Sequence, residues 1–136
     1  MASNFAAKWK LVSSENLEEF LKKIGMNIVK RKIAVKVKPE NEIKLTDKGF
    51  TFIVRSTVKN SEDTYEWGKV QDDADPVGEK GTQVWKMEGD EMVGEFTYEK
   101  SGLKIVIVRK IVEGKMVQTM TLDGLECVRV FEKCWF

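Results

Sequence analysis

Apolar residues first recur with a helical period. Leu17, Phe20, Leu21 and Ile24 fall at i, i+3, i+4 and i+7, on one face of an amphipathic helix. Ser13 or Ser14 is placed to cap its start, with Glu15, Glu18 and Glu19 near the positive end of its dipole and Lys22 and Lys23 near the other. Gly25 ends it. The pattern predicts a second short helix from Ile28 to about Val35, capped by Asn27. It must stop before Lys38-Pro39, because the residue preceding proline avoids helical dihedrals. A strand around Ala7 to Val12 leads into the helix pair.

From Ile43 onward the pattern becomes that of modest strands broken by turn residues. The breaks fall at Thr46-Asp47-Lys48-Gly49, Lys59-Asn60, Trp67-Gly68, Glu88-Gly89-Asp90, Ser101-Gly102, Glu113-Gly114 and Asp123-Gly124. Turns roughly 8 to 12 residues apart predict an all-β architecture of about ten strands, either an up-and-down antiparallel barrel or a sandwich. Only Gln71 to Gly81 reads as a long, acidic loop.

The length of 136 residues suits one domain with a sizeable core, read here as a single domain over 1–136. With 42% apolar residues and two prolines it is expected to be globular throughout, and no apolar run approaches the roughly 20 residues of a membrane span. Met1-Ala2-Ser3-Asn4-Phe5 lacks the basic start and apolar run of a signal peptide, so the cytoplasm is the expected compartment. Cys127 and Cys134 lie too far apart along a straight strand for a disulfide, and free thiols are expected.

The chain has no histidine, which excludes serine–histidine and cysteine–histidine catalysis, and two cysteines do not make an ordinary zinc site. Neither a metal nor a cofactor is expected. The adjacent carboxylates Glu18-Glu19 and Asp72-Asp73 read as solvated surface, and nothing marks an enzyme. Charge is uneven: Lys22, Lys23, Lys30, Arg31, Lys32, Lys36 and Lys38 give residues 22–38 a charge of +7 without an acid, within a net of only +1. The segment lacks the aromatic and polar base readers of a nucleic-acid surface. It suits transient contact with an anionic membrane, and equally a solvated helix face balanced by acids elsewhere.

Two arginines give the strand region its chemistry. Arg109 follows Ile105-Val106-Ile107-Val108, and Arg129 stands within Cys127-Val128-Arg129-Val130-Phe131. Burying an unpaired guanidinium costs several kcal/mol, so arginines in apolar strands point to a polar site inside an apolar container, read as a carboxylate clamp. This favours a cavity over a filled sandwich. If Arg129 points inward, so do Cys127 and Phe131; if Arg109 does, so do Ile105 and Ile107, with Gln118 and Met120 inward on the strand between. Val106, Val108, Val128 and Val130 occupy the opposite face, so apolarity alone does not say which face is inside.

The segment Phe5-Ala6-Ala7-Lys8-Trp9-Lys10-Leu11-Val12-Ser13-Ser14-Glu15-Asn16-Leu17-Glu18-Glu19-Phe20-Leu21 resembles the opening of the intracellular lipid-binding proteins, the fatty-acid-binding and cellular retinoid-binding family. Ordered matches continue at Lys30-Arg31-Lys32, Lys38-Pro39, Ser56-Thr57-Val58-Lys59-Asn60, Gly68, Val84-Trp85-Lys86, Gly114-Lys115-Met116 and Cys127 through Lys133. The resemblance spans essentially the whole chain, apart from a Cys134-Trp135-Phe136 tail that extends beyond the usual family end. It implies a ten-stranded antiparallel up-and-down β-barrel, or clam, capped by a helix–turn–helix: a calycin-like lipid-binding fold.

For function, the resemblance implies a monomeric, non-enzymatic carrier of one long-chain fatty acid or related hydrophobic carboxylate. The family's two arginines and tyrosine match Arg109, Arg129 and Phe131, the last a departure that removes a phenol hydroxyl, and Gln118 joins this polar end. Leu17, Phe20, Ile105, Ile107, Met120 and Cys127 are the expected cavity lining. Ile28, Val29, Ile33 and Val58, with the Asp72 to Gly78 loop, are the expected portal, and Lys22, Lys23, Lys30, Arg31 and Lys32 the expected membrane contact. Arg31-Lys32-Ile33-Ala34-Val35 and Val84-Trp85-Lys86 lean toward retinoic-acid members, making a retinoic-acid or isoprenoid carrier the second reading and a membrane-surface organising protein the third.

Overall fold

The computed structural model describes residues 2–134; Met1, Trp135 and Phe136, and with them the end of the tail, lie outside the described residues. A short 3-10 turn (Ala2–Phe5) leads into β1 (Lys8–Glu15), then α1 (Leu17–Lys23) and α2 (Ile28–Ala34). Nine strands follow: β2 (Glu40–Leu45), β3 (Gly49–Arg55), β4 (Ser61–Glu66), β5 (Gln71–Ala74), β6 (Lys80–Glu88), β7 (Glu91–Tyr98), β8 (Lys104–Val112), β9 (Lys115–Leu122) and β10 (Leu125–Cys134). All ten strands form one antiparallel sheet in the order β4-β3-β2-β1-β10-β9-β8-β7-β6-β5, the nearly closed barrel with two helices that the sequence led us to expect.

The ends of that order, β4 and β5, share no strand ladder. Side chains span the gap instead: the Gln71 amide accepts from Glu66 N at 3.0 Å and donates to Thr64 O at 3.1 Å, and Tyr65 Oη donates to Asp73 Oδ2 at 2.9 Å. Beside them a single bridge joins Trp67 to Trp85, with Gly68 N donating to Trp85 O at 2.8 Å. The Gln71–Gly81 segment is therefore not one long loop: Gln71–Ala74 is β5 and Lys80 already belongs to β6. Its acids hid the strand because an edge strand tolerates charges that a central one would not.

The start of α1 also departs from expectation. Ser13 and Ser14 do not cap it, because β1 continues to Glu15 by pairing with β10 across a bulge between Leu11 and Ser13. Asn16, at φ 61°, makes the turn into α1 and donates from its side chain to Glu126 O at 3.1 Å. The Asn27 side chain caps α2 as expected, accepting from Lys30 N at 2.9 Å.

Two-residue turns set the register that matters for the site. Glu113-Gly114 and Asp123-Gly124 all have positive φ (51°, 80°, 47° and 82°), the backbone of tight hairpin turns matched to strand twist. Val112 therefore pairs with Lys115 and Leu122 with Leu125. Counting back from those ends aligns Arg109 with Gln118, and Gln118 with Arg129.

Inside the barrel, two apolar clusters flank a central space. One, at the end closed by the 3-10 turn, gathers Phe5, Trp9, Ile43, Phe50, Met116 and Phe131. The other lies beneath α1 and joins Phe20, Leu21 and Ile24 to Phe96, Ile105, Leu122 and Cys127. By contrast α2 buries no residue.

Candidate functional site

Arg109, Gln118 and Arg129 stand side by side on β8, β9 and β10 and point into the space between the clusters. Arg109 is only 4% exposed. Its Nε donates to Gln118 Oε1 at 2.9 Å, while Phe52 and Trp85 enclose its guanidinium carbon, their ring centroids 4.2 and 4.7 Å away. Aromatic faces attract a desolvated cation by about 2 kcal/mol, less than the cost of burying it, and supply no carboxylate partner. Arg109 Nη1 is buried with no hydrogen-bond partner among the described residues. Burial pushes the Arg109 guanidinium down to about 10, so it is still a cation at neutral pH. Arg129 is lowered for the same reason; its Nε donates to Ser14 Oγ at 3.0 Å, a contact the β1 bulge makes possible by turning Ser14 toward it.

The cavity that these groups face has a volume of about 270 Å³, near the lower end of ordinary small-molecule pockets. Ile107 and Met120 give it an apolar wall next to the arginines. Across from them, β3 to β6 contribute Phe52, Asp63, Tyr65, Asp73, Gln83 and Trp85. Asp73 is well satisfied there. Besides Tyr65, the Gln83 amide nitrogen donates to its Oδ2 at 2.7 Å, with the Gln83 oxygen accepting from Trp85 Nε1 at 2.9 Å. Desolvation, then the Asp73 charge, holds the Tyr65 phenol well above its usual range. Desolvation also raises the Asp63 carboxyl, with Asp73 adding to it.

The structure thus brings five of the expected residues together on the cavity wall: Arg109, Gln118, Arg129, Ile107 and Met120. It places others elsewhere. Phe131 is fully buried in the closed-end core, and its ring lies 5.9 Å from the Arg129 guanidinium carbon. Phe20, Ile105 and Cys127 pack into the cluster beneath α1 with Leu17 against it, and burial pushes the Cys127 thiol up. Both cysteines are free. Ile28, Val29, Ile33 and Val58 are 59%, 67%, 48% and 59% exposed, and Ile33 and Val58 face each other across a groove. Of the expected membrane cations, Arg31 and Lys32 reach Glu18 at 3.8 and 2.8 Å and Lys23 reaches Asp123 at 3.8 Å. Lys22 and Lys30 form no salt bridge among the described residues.

Sequence reading missed the β3–β6 wall. Phe52/Val54, Asp63/Tyr65 and Gln83/Trp85 each show the two-residue spacing of one strand face, which was the available signal. No group of three or more metal-ligating side chains occurs among the described residues.

The fold is a clam-shaped barrel with a buried arginine on the wall of an internal cavity. The chain belongs to the lipocalin / cytosolic fatty-acid binding protein family, whose model matches residues 6–133, and so to a group of lipid carriers and not of enzymes. It is 37% identical over 133 residues to the intestinal fatty acid-binding protein of Bos taurus, covering 95% of this chain and 98% of that one. It is 30% identical to cellular retinoic acid-binding protein 2 of Homo sapiens, covering 94% and 96%. In structure it is similar to apo lipid binding protein 8 of Caenorhabditis elegans, with a TM-score of 0.92, 28% identity and 98% of each chain covered.

Proposed function

We propose that this protein is a single-domain, monomeric carrier of one long-chain fatty acid in the cytoplasm, with the carboxylate held by Arg109, Arg129 and Gln118. The observation that supports this most directly is the buried Arg109 guanidinium on the cavity wall, a cation whose Nη1 has no hydrogen-bond partner among the described residues. A carboxylate would accept from Nη1 and neutralise the charge. Phe131 supplies no hydroxyl to the headgroup. At about 0.8 kcal/mol per buried methylene, a tail of fourteen methylenes offers on the order of 11 kcal/mol before association costs, so the tail supplies affinity and the arginines supply orientation. Relatives that bind fatty acids by name support the same reading.

Calorimetric titration with palmitate and hexadecanol tests it. The wild type should bind palmitate more tightly, and Arg109→Met should weaken palmitate binding about tenfold or more while affecting hexadecanol less, since a hydrogen bond to a charged group contributes about 1.5–3 kcal/mol. Equal affinity for acid and alcohol in the wild type would overturn the clamp. Membrane contact through α2 is a second proposal, favoured by its exposed Ile28, Val29 and Ile33 interleaved with Lys30.

A further inference from the structure

We propose that Asn41 is a second recognition point in the cavity, a buried amide that bonds an oxygen carried on the middle of the ligand's chain. The inference rests on the carrier reading and narrows its ligand class to fatty acids oxygenated in mid-chain. Five polar or charged residues are buried among the described ones: Asn41, Asp75, Gln83, Arg109 and Gln118. Gln83 bonds at both ends of its amide, to Asp73 and Trp85, and Asp75 accepts from Val77 N, Glu79 N and Tyr98 Oη. Arg109 donates to Gln118. Asn41 alone forms no side-chain hydrogen bond among the described residues, although it is only 5% exposed. It pairs across the sheet with Trp9, which is fully buried in the closed-end core, and with Val54, which lines the cavity, so its side chain lies on the inner face of β2 and on the cavity wall.

Position explains which part of a ligand would meet it. The Phe52 ring lies 4.2 Å from the Arg109 guanidinium carbon, and Val54, the partner of Asn41, stands two residues beyond Phe52 on the same face of β3, about 7 Å along the strand. A ligand whose carboxylate sits at Arg109 therefore meets Asn41 with the middle of its chain and not with the carbons beside the headgroup. An amide both donates and accepts, so a hydroxyl or a keto oxygen satisfies it, whereas a plain methylene leaves it unbonded inside the protein. Two other polar residues of this wall differ in exposure. Ser61, paired with Val54 in the same row, is half-buried, and Asp63 is exposed with the Lys59 charge beside it, so solvent serves both and the buried amide is the group that a ligand oxygen completes.

Competitive titration with stearate, its 2-, 8-, 10- and 12-hydroxy derivatives and 10-oxostearate tests the proposal, on the wild type, Asn41→Leu and Ser61→Ala, with thermal unfolding confirming that each variant is folded. The expected result is a preference of about fivefold or more for at least one mid-chain derivative over stearate, with 2-hydroxystearate binding no better than stearate. The preference should fall to near unity in Asn41→Leu and persist in Ser61→Ala. Asn41→Ala gives the same reading if Asn41→Leu fails to fold. Stearate and every derivative binding alike in the wild type, a preference confined to 2-hydroxystearate, or one that survives in Asn41→Leu or disappears in Ser61→Ala, would overturn the assignment while leaving the carrier reading intact. No binding of any of these acids would overturn the carrier reading itself.

Discussion

Arg109 concentrates the tension between stability and function in one side chain. Its charge is buried, flanked by two aromatic rings and one amide, and unmatched by any acid within salt-bridge distance among the described residues. Replacing a buried charge by an apolar side chain of similar reach commonly stabilises a fold by about 1–4 kcal/mol. Arg109→Met should therefore raise the thermal unfolding midpoint of the ligand-free protein, even as it weakens fatty-acid binding. Asp63 makes a smaller, pH-dependent contribution. Its carboxyl is raised above the ordinary 3.8 in the fold, so the stability linked to its protonation is present below 3.8 and lost as pH rises through the folded value. Asp63→Asn should unfold at a higher temperature than wild type at neutral pH, with the difference closing as pH falls below 3.8, read by calorimetry across a pH series. At this scale the two arginines were legible because guanidinium amid valine and isoleucine has few solvated readings. Asp63, Asp73 and Gln83 were not, since polar residues alternating along a strand read as its solvent face; Ser14 was taken for a cap because the β1 bulge that sets it opposite Arg129 leaves no trace in hydropathy.

Tight turns and close strand approaches are what convert those residues into a site. The Glu113-Gly114 and Asp123-Gly124 hairpins align Arg109, Gln118 and Arg129, and both turns were visible as sequence punctuation. The β6–β7 pair works differently: Gly94 lies opposite Trp85, and a Cβ at Gly94 would come within 2.6 Å of the indole. That indole packs on the Arg109 guanidinium and donates to Gln83, so its position is linked to the polar wall. Gly94→Ala should destabilise the fold by about 1–3 kcal/mol through overpacking and displace Trp85, seen as a shift in tryptophan emission and reduced ligand affinity. Wild-type stability and emission in this variant would show that the indole has slack. The β5 strand was the element hidden from sequence. It is four residues long, acidic, and pairs only with β6, so its strand character comes from tertiary neighbours: Tyr65 on Asp73, and Tyr98 Oη donating to Asp75 Oδ2 at 2.6 Å.

Across the whole molecule, one pole of the barrel is sealed by aromatic packing and the other is covered by two helices of unequal attachment. α1 drives Phe20, Leu21 and Ile24 into the sheet, whereas α2 buries nothing and presents apolar residues and lysines outward. If α2 meets anionic membranes, transfer of a fluorescent fatty acid from the protein should be faster to anionic than to neutral vesicles. It should slow as salt rises, because the Debye length shrinks from about 10 Å at 0.1 M to about 3 Å at 1 M. Rates indifferent to vesicle charge and salt would leave α2 with no part in transfer. The helix pair and a run of about ten strands were readable from periodicity and turns, which left barrel and sandwich open; the arginines and the family resemblance favoured the barrel. The packing of Phe20, Ile105 and Cys127 beneath α1 was not readable, because it depends on tertiary neighbours. The most direct test of a carboxylate carrier is native mass spectrometry of the purified protein with extraction of bound lipid, repeated on Arg109→Ala/Arg129→Ala. One fatty acid per chain is expected in the wild type, with its loss in the double variant. A wild-type protein that is empty and refuses added fatty acid, or a double variant that retains it, would contradict the account.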